Sequence, residues 1–399
     1  MTDRAPAKAL EELPVSTRPA DPLRVLPTPL HMKTSIACQT NDWTSWAGYT
    51  VPNLCTSLER EMSALTRHAA IADLSPMGKY AVSGDDAARF LDHLLVANIA
   101  DLKTGDVILT PMCQSNGKVI NLVSVARFGA TSWWLTCDGR HMNWLYQAAV
   151  GFDVTLVDYS DVHAGIMLAG PEVSRVLTAA DLGDCTDIVL RGARRISWDG
   201  IDITLVHRGV GQVPGLSIWC AGSEAAIVWN RLMDGGRGCG LEAVGRMACE
   251  TLRIESGEPA PGRDFIPDPE ALRSDRSRTA IELGFDHLID EGKGVFNGRA
   301  ALLEERAKGS VLRLATFSFH GAAPQAGTRL HKKQGRKGII VGVATSTTSA
   351  PHRSSARGLG FVVTDHVRPG DVLDVTIEET RELLQVTRKE SCVVVEISG

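Results

Sequence analysis

The chain has no apolar run approaching the roughly 20 residues that a membrane-spanning helix needs, which excludes a helical membrane protein. It also has no surplus of positive charge. Lys and Arg number 42 against 47 Asp and Glu, giving a net charge of -5, and the pI is near 6.1. Nucleic-acid and anionic-membrane surfaces rest on clustered cations that neutralise phosphates, so neither partner is expected. The one basic run, His331-Lys332-Lys333-Gln334-Gly335-Arg336-Lys337, reads as a solvated hairpin tip. The nine cysteines are scattered, with no Cys-x-x-Cys pair and no Cys/His ligand spacing. That argues against a disulfide framework and a structural zinc site, and no metal is expected. Their odd number, with no secretory signal segment, points to a reducing cytoplasm. The glycines near 235–240 and Gly209-Val210-Gly211 lack the strand, helix and acidic residue of a dinucleotide site. No nucleophile elbow and no Ser/His/Asp order stands out.

What is present is an ordinary globular composition, 44% hydrophobic and 22% charged. Single cores stop growing at roughly 250 to 300 residues, so a chain of 399 residues is expected to form two or three lobes. The first thirty residues carry Pro6, Pro14, Pro19, Pro22, Pro27 and Pro29 among charges and read as an extended arm, 1–30. Helical spacing over 58–68 is followed by strand-like alternation over 79–83. A turn at Gly84-Asp85-Asp86 then leads into a helix over 87–95. Strands are expected over 107–112, 119–126 and 132–136, with Ser115-Asn116-Gly117 as the first hairpin turn, and a helix over 141–149.

A second unit repeats this grammar: a strand at 164–168, the turn Gly170-Pro171, a helix from Glu172, and strands at 201–207 and 216–220. Two related α+β lobes over 31–275 follow from it. An irregular Gly/Pro-rich connection runs from Ser256 to Ser277. Beyond it, short strands at 312–319, 338–345, 358–363 and 372–378 read as an antiparallel barrel over 280–399.

Several segments carry a resemblance in collinear order. They are Trp46-Ala47-Gly48-Tyr49-Thr50-Val51-Pro52; Asp73-Leu74-Ser75-Pro76-Met77-Gly78-Lys79; the strands from Gly105 to Met112 and Gly117 to Val125; Pro214-Gly215-Leu216-Ser217-Ile218-Trp219; Thr251-Leu252-Arg253-Ile254-Glu255-Ser256-Gly257; and Phe296-Asn297-Gly298-Arg299. From about Trp43 onward the chain resembles the folate-dependent aminomethyltransferase and demethylase family. This family includes the T-protein of the glycine cleavage system and demethylases of methoxylated aromatic acids such as vanillate. The resemblance implies an α+β three-lobed ring around a channel that admits tetrahydrofolate, and transfer of a one-carbon group to folate N5. The Pro-Gly-Leu-x-Ile-Trp segment is closer to the aromatic O-demethylases, so a small methoxylated, aromatic acid is the expected donor.

The same resemblance supplies candidate residues. Asn121 stands where the T-protein has an Asp at the reacting group, and an amide offers hydrogen bonds where a carboxylate offers charge. Ser217 stands where a Glu grips the pterin, Cys249 where Arg or Tyr is usual, and Ala169 where a Gln is usual. Met112, Gln114, Val123, Gln212, Ser217, Trp219 and Cys249 are the expected folate contacts. Tyr49 is a candidate donor to a phenolate leaving oxygen. His207 reads as an acid, as a carboxylate anchor with Arg208, or as a satisfied strand-end histidine. Two alternatives stay open: another reaction type on the same scaffold with a remodelled pocket, and a non-enzymatic binding module. The oligomeric state is not expressed in the sequence.

Overall fold

The computed structural model describes residues 25–189, 192–272, 276–334, 337–381 and 384–398, so most of the expected arm lies outside the described residues. Where description begins, β1 (Leu26–Pro27) pairs in parallel with Tyr49 and Thr50. Helix α1 (His31–Ala37) leads to a hairpin of β2 (Asp42–Trp46) and β3 (Tyr49–Leu54). Helix α2 (Leu58–Arg67) starts at Ser57, whose hydroxyl accepts the Arg60 N–H at 3.3 Å. Glu59 and Glu61 in its first turn complement the helix dipole, and Met62, Ala64 and Leu65 point to the core. The chain next lays down β4 (Ala69–Asp73).

The first lobe comprises β5 (Gly78–Ser83), α3 (Ala87–Leu94), β6 (Val107–Cys113), β7 (Val119–Arg127), β8 (Ser132–Cys137), α4 (Met142–Ala148) and β9 (Thr155–Asp158). The second comprises β10 (His163–Ala169), α5 (Val173–Ala179), β11 (Ala193–Trp198), β12 (Ile201–His207), β13 (Gly215–Ala221), α6 (Ala225–Gly236) and β14 (Leu241–Ala243). Their sheets run β6-β7-β8-β5-β9 and β11-β12-β13-β10-β4-β14. Each is a three-stranded meander joined to the strand that leads into a helix, β5 or β10, with β9 or β4 antiparallel on its far side.

The repeat extends to the turn before the helix. Gly84 (φ 125°) and Gly170 (φ 129°) both occupy the left-handed half of the map. In each, a Cβ would collide with a backbone carbonyl, that of Asp153 or His68. The two lobes expected from the sequence are therefore repeats of one plan, but the second takes β4 from the chain before the first lobe begins. All five residues of β4 are buried, so it shows no alternation.

On β13, Leu216, Ile218 and Cys220 pack toward α5 and α6 through Val173, Val176, Val228 and Leu232. By the period of two, Ser217 and Trp219 face the other way. Helix α7 (Arg246–Glu255), the irregular connection and α8 (Arg299–Lys308) lead into the third lobe. There β15 (Leu312–Phe319), β16 (Arg329–Gln334), β17 (Lys337–Thr348), β18 (Ala356–Val363), β19 (Val372–Arg381) and β20 (Leu384–Ile397) form a closed barrel. Closure leaves no free strand edge. The basic run falls on the β16–β17 hairpin, whose last register pair is Gln334 with Lys337; Gly335 and Arg336 lie outside the described residues.

Candidate active site

A cavity of about 390 Å³ lies where the lobes meet. The first lobe contributes Asn121 from β7 and Asp138 just past β8, and the second contributes Asp73, Met167 and Arg208. The hairpin adds Trp46, α7 adds Arg246, Cys249, Glu250 and Arg253, the connection adds Glu258, and the C-terminal region adds Phe285 and Ser398.

A polar cluster around Asn121 and Asp138 forms part of the cavity wall. Asn121 is 2% exposed. Its Oδ1 accepts the Leu122 N–H at 2.8 Å, and its Nδ2 donates to the Asp138 carbonyl and lies 2.6 Å from His141 Nε2. A backbone donor on one side and a carbonyl acceptor on the other fix the amide orientation, and His141 Nε2 is also 3.2 Å from the Asp138 carbonyl. Burial lowers the His141 pKa, opposed by Asp138, in keeping with a neutral ring. The Tyr80 hydroxyl accepts the His141 N–H at 2.7 Å, and the Asp138 carboxylate accepts from Trp46 Nε1 at 2.6 Å.

Trp46 joins this cluster to a set of charged groups. The Arg246 guanidinium lies 3.8 Å from the centre of the Trp46 ring and 3.5 Å from Glu250. Arg253 is held by Glu250 and Asp264, both at 2.7 Å, and by Ser346 at 3.0 Å. Burial alone would raise the Glu250 pKa, but Arg253, Arg246 and Arg263 together hold it below the usual carboxylate range. For Glu258 burial prevails and the pKa is raised, with Arg208, Arg253 and the Gly211 N–H in opposition. Asp73 is raised by burial, against hydrogen bonds from Thr28 Oγ1 (2.6 Å) and Ser75 N–H (2.8 Å). Behind Asp73, buried Lys79 donates to the Ser75 carbonyl at 2.7 Å and lies 5.6 Å from the Trp219 ring centre; burial brings its pKa down to about 7.

Of the residues singled out from sequence, the cavity brings together Asn121, Arg208 and Cys249. Burial pushes the Cys249 thiol up to about 12, away from nucleophilic use at neutral pH. The others stand elsewhere. Tyr49 donates its hydroxyl to Asp161 at 2.6 Å, with Arg140 over its ring at 5.8 Å. His207 is bonded through Nδ1 to the Val189 carbonyl at 3.0 Å, the satisfied strand-end arrangement. Met112 and Val123 are packed in the first lobe's core. The Gln114 carbonyl closes the β6–β7 turn onto Gly117 N–H at 2.9 Å, and Gln212 is exposed on the loop before β13. Ser217 and Trp219 are each 1% exposed and do not line the cavity; among the described residues the Ser217 hydroxyl has no hydrogen-bond partner.

His141, Asp138, Arg246 and Glu258 were missed as site residues. Arg246, Cys249, Glu250 and Arg253 sit at helical spacing on one face of α7, a signal readable in the sequence. Glu258 lies in a Pro-rich stretch that read only as a connection.

The repeated α+β lobes, the barrel and a cavity at their junction define an aminomethyltransferase-type fold. Residues 32–279, more than half of the chain, match the GCVT N-terminal domain, and the chain belongs to that family, the glycine cleavage T-protein family. An aminomethyltransferase of Halothermothrix orenii is 26% identical over 335 residues, covering 83% of this chain and 90% of its own length. One from Caldanaerobacter subterraneus is 26% identical over 340 residues, covering 83% and 87%. The crystal structure of glycine cleavage system aminomethyltransferase T from Bartonella henselae superposes with a TM-score of 0.81 at 21% identity, over 93% of this chain and 97% of that one, which shows the fold.

Tetrahydrofolate is the family's one-carbon partner. A flat, polar heterocycle needs an aromatic or apolar wall, a carboxylate for its N–H groups and a donor for its carbonyl. Trp46, Met167 and Phe285, with Glu258 and Arg208, supply those groups in this cavity.

Proposed function

We propose that this chain is a tetrahydrofolate-dependent methyltransferase that takes the methyl group of a small methoxylated, aromatic acid. The observation that carries the reading is the neutral amide of Asn121, whose Nδ2 donates to the Asp138 carbonyl beside His141, at the position where the resemblance puts the T-protein's Asp. A cationic aminomethyl donor calls for a fixed carboxylate at the reacting centre. An aryl methyl ether is neutral and departs as a phenol, so it has no such requirement. When bound, tetrahydrofolate supplies N5 as the methyl acceptor: the C–N bond forms as the methyl C–O bond breaks, the N5 proton is released and the departing oxygen takes one up.

The chain's own groups suit that donor. Arg246 is a cation that a substrate carboxylate can meet, and Trp46 beside it lines the same cavity. Positioning of the two reactants supplies much of the rate, because holding donor and acceptor at attack distance removes an entropic barrier of several kcal/mol.

A second reading, a different reaction on a remodelled scaffold, is favoured by Ser217, which lies outside the cavity. The test incubates the purified chain with tetrahydrofolate and a panel of methoxybenzoates and measures 5-methyltetrahydrofolate and the matching phenol. Stoichiometric formation of both supports the first reading. Folate binding with no transfer from any methoxylated acid would move the assignment to the second.

A further inference from the structure

We propose that Glu258 and Arg208 read the pterin edge of the folate, replacing the contact that residue 217 cannot make. The proposal rests on the reading above that the cavity takes a reduced folate.

The edge of a 2-amino-4-oxopyrimidine presents two adjacent N–H donors, from the exocyclic amine and the ring nitrogen, beside a carbonyl acceptor. A carboxylate accepts the pair of donors, and a guanidinium alongside donates to the carbonyl. Ser217 offers one hydroxyl and is closed off from the cavity by burial. Glu258 and Arg208 both line it.

Both side chains are held by their backbones. The Glu258 N–H donates to the Arg253 carbonyl at 3.0 Å, and the Arg253 guanidinium returns a bond to the Glu258 carbonyl at 3.0 Å. Arg253 is itself fixed by Asp264 and Glu250. Gly257 before it has φ 80° and Pro259 follows, so the backbone at Glu258 has little freedom. Across the gap, Arg208 N–H donates to the Gly215 carbonyl at 3.1 Å, and Val210 and Val213 close the loop with mutual bonds of 3.1 and 3.0 Å. That loop packs onto the end of α7: a Cβ at Gly211 would collide with the Ser256 side chain.

With its backbone tied, Glu258 keeps an exposed side chain that lines the cavity, though the protein around it still desolvates the carboxylate and the Gly211 N–H supplies it one hydrogen bond. Among the described residues neither Arg208 nor Arg253 forms an ion pair with it, although both fields act on it. Arg208 also acts on Cys137, next to Asp138. The split pair thus leaves a carboxylate and a guanidinium available to one ligand.

The experiment is calorimetric titration of the full chain, Glu258→Gln and Glu258→Ala with 5-formyltetrahydrofolate and, separately, with p-aminobenzoylglutamate, which lacks the pterin. Thermal unfolding confirms that each variant is folded. The expected result is a loss of about tenfold or more in folate affinity for Glu258→Ala, a smaller loss for Glu258→Gln, which keeps one acceptor, and no change for p-aminobenzoylglutamate. Wild-type folate affinity retained in both variants would overturn the assignment of Glu258 while leaving the folate reading intact. Equal losses for both ligands would overturn it as well, because the effect would then not belong to the pterin. Absence of folate binding by the wild-type chain would overturn the underlying reading, and this inference with it.

Discussion

Asn121 Nδ2 donates to the Asp138 carbonyl and lies 2.6 Å from His141 Nε2, so the amide is built into its surroundings as a donor. A carboxylate in the same place would face the Asp138 carbonyl with no proton to offer.

Asn121→Asp is therefore expected to destabilise the protein at pH 8 by about 1 to 3 kcal/mol, the cost of setting acceptors against each other in a buried site. The pH dependence should also invert. In the wild type the folded-state pKa of His141 is lowered. The unfolded chain then binds the extra proton between that value and the ordinary 6.5, and stability rises with pH through this window. In the variant a neighbouring carboxylate favours the imidazolium and raises the folded pKa. Its contribution is then fully present below 6.5 and is lost as pH rises through the raised value. Urea denaturation of both proteins from pH 5 to 8 reads the difference; parallel curves would show that Asn121 and His141 are not coupled.

Arg253 ties α7, the connection and the barrel together, through Glu250, the Glu258 carbonyl, Asp264 and Ser346. The Asp264 side chain is completely buried in the ion pair. Arg253→Met should cost about 3 to 5 kcal/mol by urea denaturation, because it strands that carboxylate without its cation. Arg253→Met with Asp264→Asn should recover a large part of the loss. If the double variant were no better than the single, the ion pair would not be the origin of the effect.

The repeated grammar of strand, helix and hairpin was readable because apolar runs of strand length are separated by turns such as Ser115-Asn116-Gly117 and Gly170-Pro171. The barrel was readable for the same reason, though β16 and β20 were not picked out. What stayed hidden was long-range. Nothing local in Ala69 to Asp73 says that it joins a sheet whose other strands come ninety residues later. The site divides similarly. Asn121 could be found through motif resemblance, but its partners Asp138 and His141 follow the next strand and meet it only through sheet pairing. Ser217 and Trp219 sit in the right motif yet are closed off by inter-lobe packing, which motif spacing does not encode.

The Arg246 guanidinium carbon lies 3.8 Å from the Trp46 ring centre, and a planar guanidinium and a compact ammonium are not interchangeable in such a contact. If it receives the donor's carboxylate, Arg246→Lys should raise KM for the methoxylated acid about tenfold with a smaller change in kcat, since a ground-state binding contact is lost. Steady-state kinetics with the acid varied at saturating tetrahydrofolate separates the two constants. A fall in kcat at unchanged KM would instead give Arg246 a part in the methyl-transfer step.

Lys79 is buried without a carboxylate in direct contact, its ammonium resting on the Ser75 carbonyl near the Trp219 ring. Burial brings its pKa from the ordinary 10.5 down to about 7. Between those two values the unfolded chain holds a proton that the folded chain has given up. Wild-type stability therefore gains from this group as pH rises from about 7 toward 10, whereas below 7 both states are charged and the full cost of burying the cation remains. Lys79→Met removes the titration and also the bond to Ser75, a loss of about 1 kcal/mol. Subtracting the denaturation curves of the two proteins cancels the other titrating groups. The variant's advantage should be greatest at pH 7 and below, shrink steadily toward pH 10, and end there as a small deficit equal to the lost hydrogen bond. A difference that stayed constant from pH 7 to 10 would mean that Lys79 keeps its proton in the folded state, held by the field of Asp73 and the face of Trp219.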